Sequence, residues 1–262
     1  MARREYVPAK VEVGLVFDTW SCGPVKVVEL LGGDYVMVEF SDGTKVKSTK
    51  GNVRSGSIKN YNQPHVYGHG FHGIGAHAAH GVKANEYWSK MLQRAYCPIY
   101  KEAHPTYEDV VVCKEWLNYQ NFAEWCTKRK QYGNLGYNLD KDIIIRGNKE
   151  YSEDFCSLVP QRINKLLVTK TFLSKKLPLG IHTIKDRKGA VTGYTASCRD
   201  NNQELYFGYY SNPVDAFFAY KAGKEALIKR VADEYKPMLD DKVYDALLKY
   251  VVFDTNGIVQ ID

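Results

Sequence analysis

No stretch of the chain reaches the roughly 18 consecutive apolar residues that a membrane-spanning helix needs. The opening MARREYVPAKVEVG has no apolar core of signal-peptide type. Paired cysteines are also missing. The six Cys, at 22, 97, 113, 126, 156 and 198, stand singly without any C-x-x-C pair. That argues against a structural zinc knuckle and for reduced, mostly buried thiols. No block of one charge sign dominates either. The net charge is +6 with a pI near 8.8, and the excess is +2, +3 and +1 over residues 1–62, 63–170 and 171–262. A surface for nucleic acid must therefore be a local patch. These absences, with 44% hydrophobic residues, predict a soluble cytoplasmic protein with ordinary cores and no membrane contact.

What is present falls into segments. Residues 12–60 hold short alternating runs, GLVFDT, GPVKVVELL, DYVMVEF and TKVKSTKGNV, split by Gly-Gly-Asp and Ser-Asp-Gly turns. They predict a small β module of SH3-like barrel type over 1–60, suited to docking a protein partner or nucleic acid, or serving as a folding cap. Residues 61–83, YNQPHVYGHGFHGIGAHAAHGVK, carry five of the seven His and no periodicity. They read as a linker, or a loop lying on a neighbouring domain, rather than a metal site.

Residues 84–170 form the next domain. ANEYWSKMLQRAYC has Tyr87, Trp88, Met91, Leu92 and Ala95 at helical spacing. VVVCKEW reads as a buried strand, and WLNYQNFAEWCTKRK as a helix with a basic end. DIIIR reads as a strand, GNKEY as a turn, SEDF as a helix entry capped by Ser152, and VPQRINKLLVTK as a helix with Pro160 near its start. Residues 171–262 complete the chain. LGIHTIK, AVTGYTASCR and QELYFGYY predict three antiparallel strands packed on a helix that begins near Ser211 or Asn212. Lys175, Lys176, Lys185, Arg187, Lys188 and Arg199 make one such basic patch over 171–211, against Asp186, Asp200 and Glu204. The free sheet face is expected to present Lys185, Tyr194 and Arg199. The fold class is α+β.

Several of these residues resemble a known family. Trp88, Met91-Leu92, Arg94 and Tyr96, then Val112-Cys113, Glu115-Trp116, Phe122 and Trp125, then Leu139-Asp140, Gly147-Asn148-Lys149-Glu150-Tyr151-Ser152, Cys156, Val159-Pro160-Gln161 and Ile163-Asn164 resemble HNH-type endonucleases of bacteriophages. Within these they resemble the branch fused to an Apetala-type (ethylene-response-factor) DNA-binding domain, whose pattern is similar to LPLGIHTIK…YTASC…YFGYYSNPVDAFFAY. The resemblance implies a ββα-metal unit holding Mg²⁺ or Mn²⁺. It assigns Asp140 as first metal ligand, Asn164 as second, and Asp154 to the middle, structural position. It departs at the general base: Lys141 stands where His is usual.

Phosphodiester hydrolysis needs charge neutralised on the phosphate and an activated water. Asp140 and Asn164 offer the oxygen ligands Mg²⁺ prefers. A protonated Lys141 cannot be a base, its reference pKa being about 10.4. Asp142, on the same strand face as Asp140 if the strand continues, is the alternative base or a third ligand. Two functions follow. One is a metal-dependent, homing-type DNA endonuclease of an infecting phage, with Lys185, Arg187, Tyr194 and Arg199 contacting double-stranded DNA in the major groove. The other is a catalytically inactive DNA-binding regulator or counter-defence protein that keeps the fold.

Overall fold

The computed structural model describes residues 10–167, 177–254 and 259. Lys175 and Lys176 lie outside the described residues. The chain divides into two compact units: residues up to Ala103 together with Lys114–Glu124, and His104–Cys113 together with the chain from Trp125 onward. The expected 84–170 segment is thus shared between them.

Unit one begins with the four predicted strands, β1 (Val16–Asp18), β2 (Pro24–Gly32), β3 (Tyr35–Phe40) and β4 (Lys45–Thr49), in an antiparallel meander. Alternation puts Val25, Val27, Val36, Val38 and Phe40 on one buried face. Helix α1 (Lys50–Ser55) follows at once. Thr49 Oγ1 accepts the Asn52 amide at 3.1 Å to start it, and Gly56, at φ 72°, ends it.

The Gly/His-rich stretch lies within this unit and is stitched down. Val66 pairs with Gly70, and Phe71 with Asn118. Gln120 donates to the carbonyls of His72 (3.1 Å) and His77 (3.0 Å) and accepts the His77 amide (2.9 Å). Of the two readings of 61–83, a loop lying on its neighbour describes it better than a free linker. The predicted helix at 84–97 is α2 (Lys83–Tyr96), with Trp88, Met91, Leu92 and Ala95 fully buried. Trp88 Nε1 donates to the Trp116 carbonyl at 2.7 Å. Helices α3 (Pro98–Ala103) and α4 (Lys114–Leu117) are short, and the boundary between the units falls inside α5 (Tyr119–Thr127).

Unit two carries the rest. VVVCKEW gives only β5 (Val111–Val112) before α4 starts. β5 pairs in parallel with β7 (Glu150–Tyr151). Strand β6 (Tyr137–Asp140) pairs antiparallel with β8 (Ser157–Pro160), and α6 (Gln161–Leu167) starts directly after β8. DIIIR is therefore not a strand, and SEDF is not a helix entry: residues 141–147 bend, and Ser157–Pro160 are extended.

The three C-terminal strands form as expected. They are β9 (Ile181–Lys185), β10 (Val191–Asp200) and β11 (Gln203–Tyr210), in the order β11-β10-β9. They pack on α7 (Pro213–Tyr235), whose N-cap is Asn212, accepting the Asp215 amide at 2.9 Å. Helix α8 (Asp241–Leu248) contributes Val243 and Leu247 to the same core as Phe217, Leu227, Ile228 and Val231. Among the described residues no helix is long and apolar enough to cross a membrane.

One glycine sets the distance between this sheet and its helix. A Cβ on Gly223, in the middle of α7, would lie 2.4 Å from the Phe207 ring. Alanine normally improves a helix by about 1 kcal/mol over glycine. Here the collision with a packed ring outweighs that, since overpacking costs about 1–3 kcal/mol. Gly223→Ala is expected to lower the melting temperature in a calorimetric scan; a rise would show that the ring moves aside freely.

Candidate metal site and nucleic-acid interface

The site is built on β6, β8 and α6. Tyr137–Asp140 pair residue by residue with Pro160–Ser157, so Asp140 ends its strand opposite Ser157. Helix α6, carrying Asn164, packs on both strands. The strand stops at Asp140 for a local reason. Asp140 Oδ1 accepts the amides of Asp142 (2.8 Å) and Ile143 (2.9 Å). Those amides are then unavailable to a ladder, and the chain turns away. Ile143 and Ile144 pack instead against the core beneath the C-terminal sheet.

Burial pushes the Asp140 carboxyl above the usual carboxylate range; the two amides, and more weakly Lys141, pull it partly back. Both of those amide bonds fall on Oδ1, leaving Oδ2 for a cation. A bound cation would itself favour the ionised form. Among the described residues no group of three or more His, Cys, Asp or Glu is placed to hold a metal ion. Asn164 is not of these residue types; it sits on α6, which packs on the strands β6 and β8. Asn164 is half-buried on α6.

Lys141 and Asp142 do not stand on opposite strand faces, because no strand continues past Asp140. Lys141 is buried and folds back on its neighbour. Its ammonium donates to Asp142 Oδ1 (2.8 Å), Asp142 Oδ2 (2.9 Å) and the Asn148 carbonyl (2.5 Å). All three of its donors are thereby engaged. The rings of Tyr107 and Tyr151 lie 5.9 Å from the charge. As a general base Lys141 would have to lose its proton amid these acceptors, and Asp142 would have to release the ammonium it chelates. The expected base pair is thus a mutual ion pair in this geometry.

The sequence places Asn148 in a turn and gives it no role in the site. Its Nδ2 donates to the carbonyls of Lys141 (2.9 Å) and Glu150 (2.6 Å), and its Oδ1 accepts the Glu150 amide at 3.1 Å. Gly147 before it takes a left-handed φ of 75°. This side chain staples the loop that presents Asp140, and the Gly-Asn turn was its only signal. Asp154 lies exposed in a turn, where its carbonyl accepts Lys242 Nζ at 2.9 Å.

The second feature is the open face of β9–β11. Lys185 ends β9, and Arg187 and Lys188 sit in the turn. Asp186 Oδ1 holds that turn by accepting the amides of Lys188 (2.8 Å) and Ala190 (2.9 Å). Lys185, Arg187, Lys188 and Arg199 are exposed. Tyr194 is not on this face: it is half-buried and packs on the α7 side. It stands beside Gly193, and adjacent residues of a strand face opposite ways. The open face instead carries Tyr206 and Tyr209, 62% and 53% exposed, which the sequence reading did not single out. Tyr209 donates to the Thr192 carbonyl at 2.5 Å and lies over Gly193, where a Cβ would come 2.1 Å from its hydroxyl.

Asp200, counted as an acid against the basic run, is drawn inside. It chelates Arg162 of α6, which donates from Nε at 2.8 Å and from Nη2 at 2.7 Å. Arg162 also reaches Glu234 of α7. Arg162 holds the Asp200 carboxyl below its ordinary value, and burial depresses the nearby Lys224 ammonium. This cluster ties the helix bearing Asn164 to the sheet. No family model matches the chain, and no curated protein or solved structure matches it.

Proposed function

We propose that unit two binds double-stranded DNA through the open face and basic hairpin tip of β9–β11, and that β6, β8 and α6 form an HNH-like site hydrolysing phosphodiesters. The observation that carries this reading is the antiparallel strand pair leading straight into a helix, with Asp140 closing the first strand and Asn164 on the helix. The fixed Arg162–Asp200 tie between that helix and β10 supports a single DNA-facing assembly. In this reading the C-terminal sheet is ethylene-response-factor-like, the N-terminal meander is an SH3-like barrel module that docks a protein partner, and the protein works in the cytoplasm of a phage-infected bacterium.

Asp140 and Asn164 would hold Mg²⁺ or Mn²⁺. Bound there, the cation supplies charge neutralisation on the phosphate and acidifies a water. Asp140 orients itself through the two loop amides, and Asn148 keeps that loop closed. Lys141, saturated by Asp142 and Asn148, fixes the loop and takes no proton, so activity is expected to be weak. The same saturation favours the second reading, a DNA-binding protein without catalysis. Incubation of supercoiled DNA with the protein, with and without Mg²⁺ or Mn²⁺, separates the two on a gel.

Binding has its own test. Arg199→Ala and Arg187→Ala are each expected to weaken duplex affinity. The slope of log K against log salt should fall by about one for each phosphate that the truncated side chain neutralised. Tyr194→Phe should leave affinity unchanged, because that ring packs inward. Fluorescence anisotropy with a labelled duplex reads all three. Salt-insensitive binding, or equal loss in the Tyr194 variant, would remove the sheet from the interface.

A further inference from the structure

Unit one contains a cavity of about 860 Å³ whose wall includes His65, His72, His77, His80, Lys59 and Asn85. Among the described residues no Asp or Glu lines it. Four imidazoles and an ammonium around one space, without a lining carboxylate, is an arrangement short of negative charge. The volume lies in the range of pockets that take a small organic ligand.

The hydrogen bonds fix the imidazoles in order. His65 Nδ1 lies 2.8 Å from the Gln63 carbonyl, which can only accept, so Nδ1 carries the proton. In the neutral ring His65 Nε2 is then an acceptor, and it lies 2.8 Å from His72 Nδ1. His72 therefore donates from Nδ1, and its Nε2 carries a lone pair. Asn85 faces this ring, and its Oδ1 is buried without a hydrogen-bond partner. Trp88 and Tyr119 pack on the His72 ring, with centroids 5.3 and 5.8 Å away. His77 is engaged elsewhere, with Glu124 at 2.7 Å.

The neutral pair thus leaves His72 Nε2 with a lone pair, while Asn85, which faces the ring, keeps an unsatisfied acceptor. A proton on Nε2 would supply a donor to that acceptor. What opposes the proton is burial, then the nearby His65, and Lys59; Asn85 favours it. An anion in the cavity would offset the opposition.

We propose that this cavity is a phosphate-binding site of nucleotide size, holding a phosphomonoester between the His65–His72 pair and Lys59. Binding draws one proton from solvent onto His72 Nε2. The phosphate belongs either to a free nucleotide or to the 5′ end of a nucleic-acid strand, and the chemistry at the site is the same.

Calorimetric titration of the full chain, with EDTA present to exclude bridging metals, tests this. The probes are inorganic phosphate, adenosine monophosphate, and a short single strand with and without a 5′-phosphate. The expected result is saturable binding of a phosphomonoester at pH 6. It should weaken about tenfold or more by pH 8, as loss of a linked proton requires. Protons should be taken up when two buffers of different ionisation enthalpy are compared.

His65→Gln, at an exposed position, should weaken binding about tenfold with an unchanged melting temperature. His69→Gln, whose ring stacks on Tyr96, should not. In NMR titrations the His72 ring should gain its proton at higher pH when phosphate is present. Preference for the mononucleotide or for the phosphorylated strand identifies the source, and either supports the site. No saturable binding by any probe overturns the proposal. So does affinity equal at pH 6 and 8, affinity unaffected by His65→Gln, or a His65-dependent response to the strand that ignores its 5′-phosphate.

Discussion

Asp140→Ala is expected to abolish metal-dependent nicking while leaving duplex affinity near that of the wild type. In the proposed function its carboxylate has two jobs in one place. Oδ1 takes the amides of Asp142 and Ile143, and Oδ2 would hold the cation. Asp140→Asn keeps an oxygen for the amides but no charge for the cation. It should therefore fold with the wild-type melting temperature and still not cut, which separates the two jobs. Asn164→Ala should cost nearly as much activity, because ligands of one ion act as a unit.

The pH dependence has a sign. A cation binds the ionised carboxylate, and burial raises the Asp140 value. At limiting metal, nicking should fall on acidification at a pH above the ordinary carboxylate value of about 3.9, and saturating metal should move that fall to lower pH. Lys141→His exchanges a saturated ammonium for an imidazole that can accept a proton, beside Asp142, which can orient it. Activity should be kept or rise. If wild type and Lys141→His both bind DNA and neither cuts any substrate with Mg²⁺ or Mn²⁺, the hydrolytic reading fails and the binding protein remains.

The N-terminal strands, α2, the three C-terminal strands and the Asn212 cap were legible because each rests on local periodicity or a cap residue. What was not legible depends on partners far away in sequence. Ile143–Ile145 are β-branched and read as strand, yet Asp140 consumes the amides a ladder would need, and the pairing goes to Ser157–Pro160 instead. Ser152 looked like a cap, but its hydroxyl is buried with no hydrogen-bond partner. The face that Tyr194 takes is set by single-residue register. β10 carries register irregularities against both neighbours. Of the candidate site, the resemblance alone points to Asp140 and Asn164 as ligands. The Lys141–Asp142–Asn148 knot was not readable, since it needs the bend that Asp140 itself creates.

The largest loss of stability is expected from Asp200→Ala. Asp200 is 8% exposed and chelates Arg162, while Arg230 approaches to 3.8 Å and the buried Lys224 lies close by. Removing the carboxylate leaves three cationic side chains around one vacated position, with Glu234 left to pair with Arg162 and Arg230. Breaking a buried pair by deleting one partner costs roughly 3–5 kcal/mol. A domain of this size loses about 2–4 °C in melting temperature for each kcal/mol. Lys224→Met in the same chain removes one of the stranded charges and should recover part of the loss, so the double variant should melt above Asp200→Ala alone.

Acid provides the independent check. The Arg162 guanidinium depresses the folded-state value of Asp200. Its contribution is therefore fully present above the unfolded value of about 3.9, and is lost as pH falls through the depressed folded value. Asp200→Asn, which cannot titrate, should start less stable at pH 7 and lose less than the wild type between pH 5 and pH 2, measured by urea unfolding. If the two lose stability in parallel over that range, Asp200 is not charged and paired in the fold. The tie between the Asn164 helix and the C-terminal sheet would then have to come from packing alone.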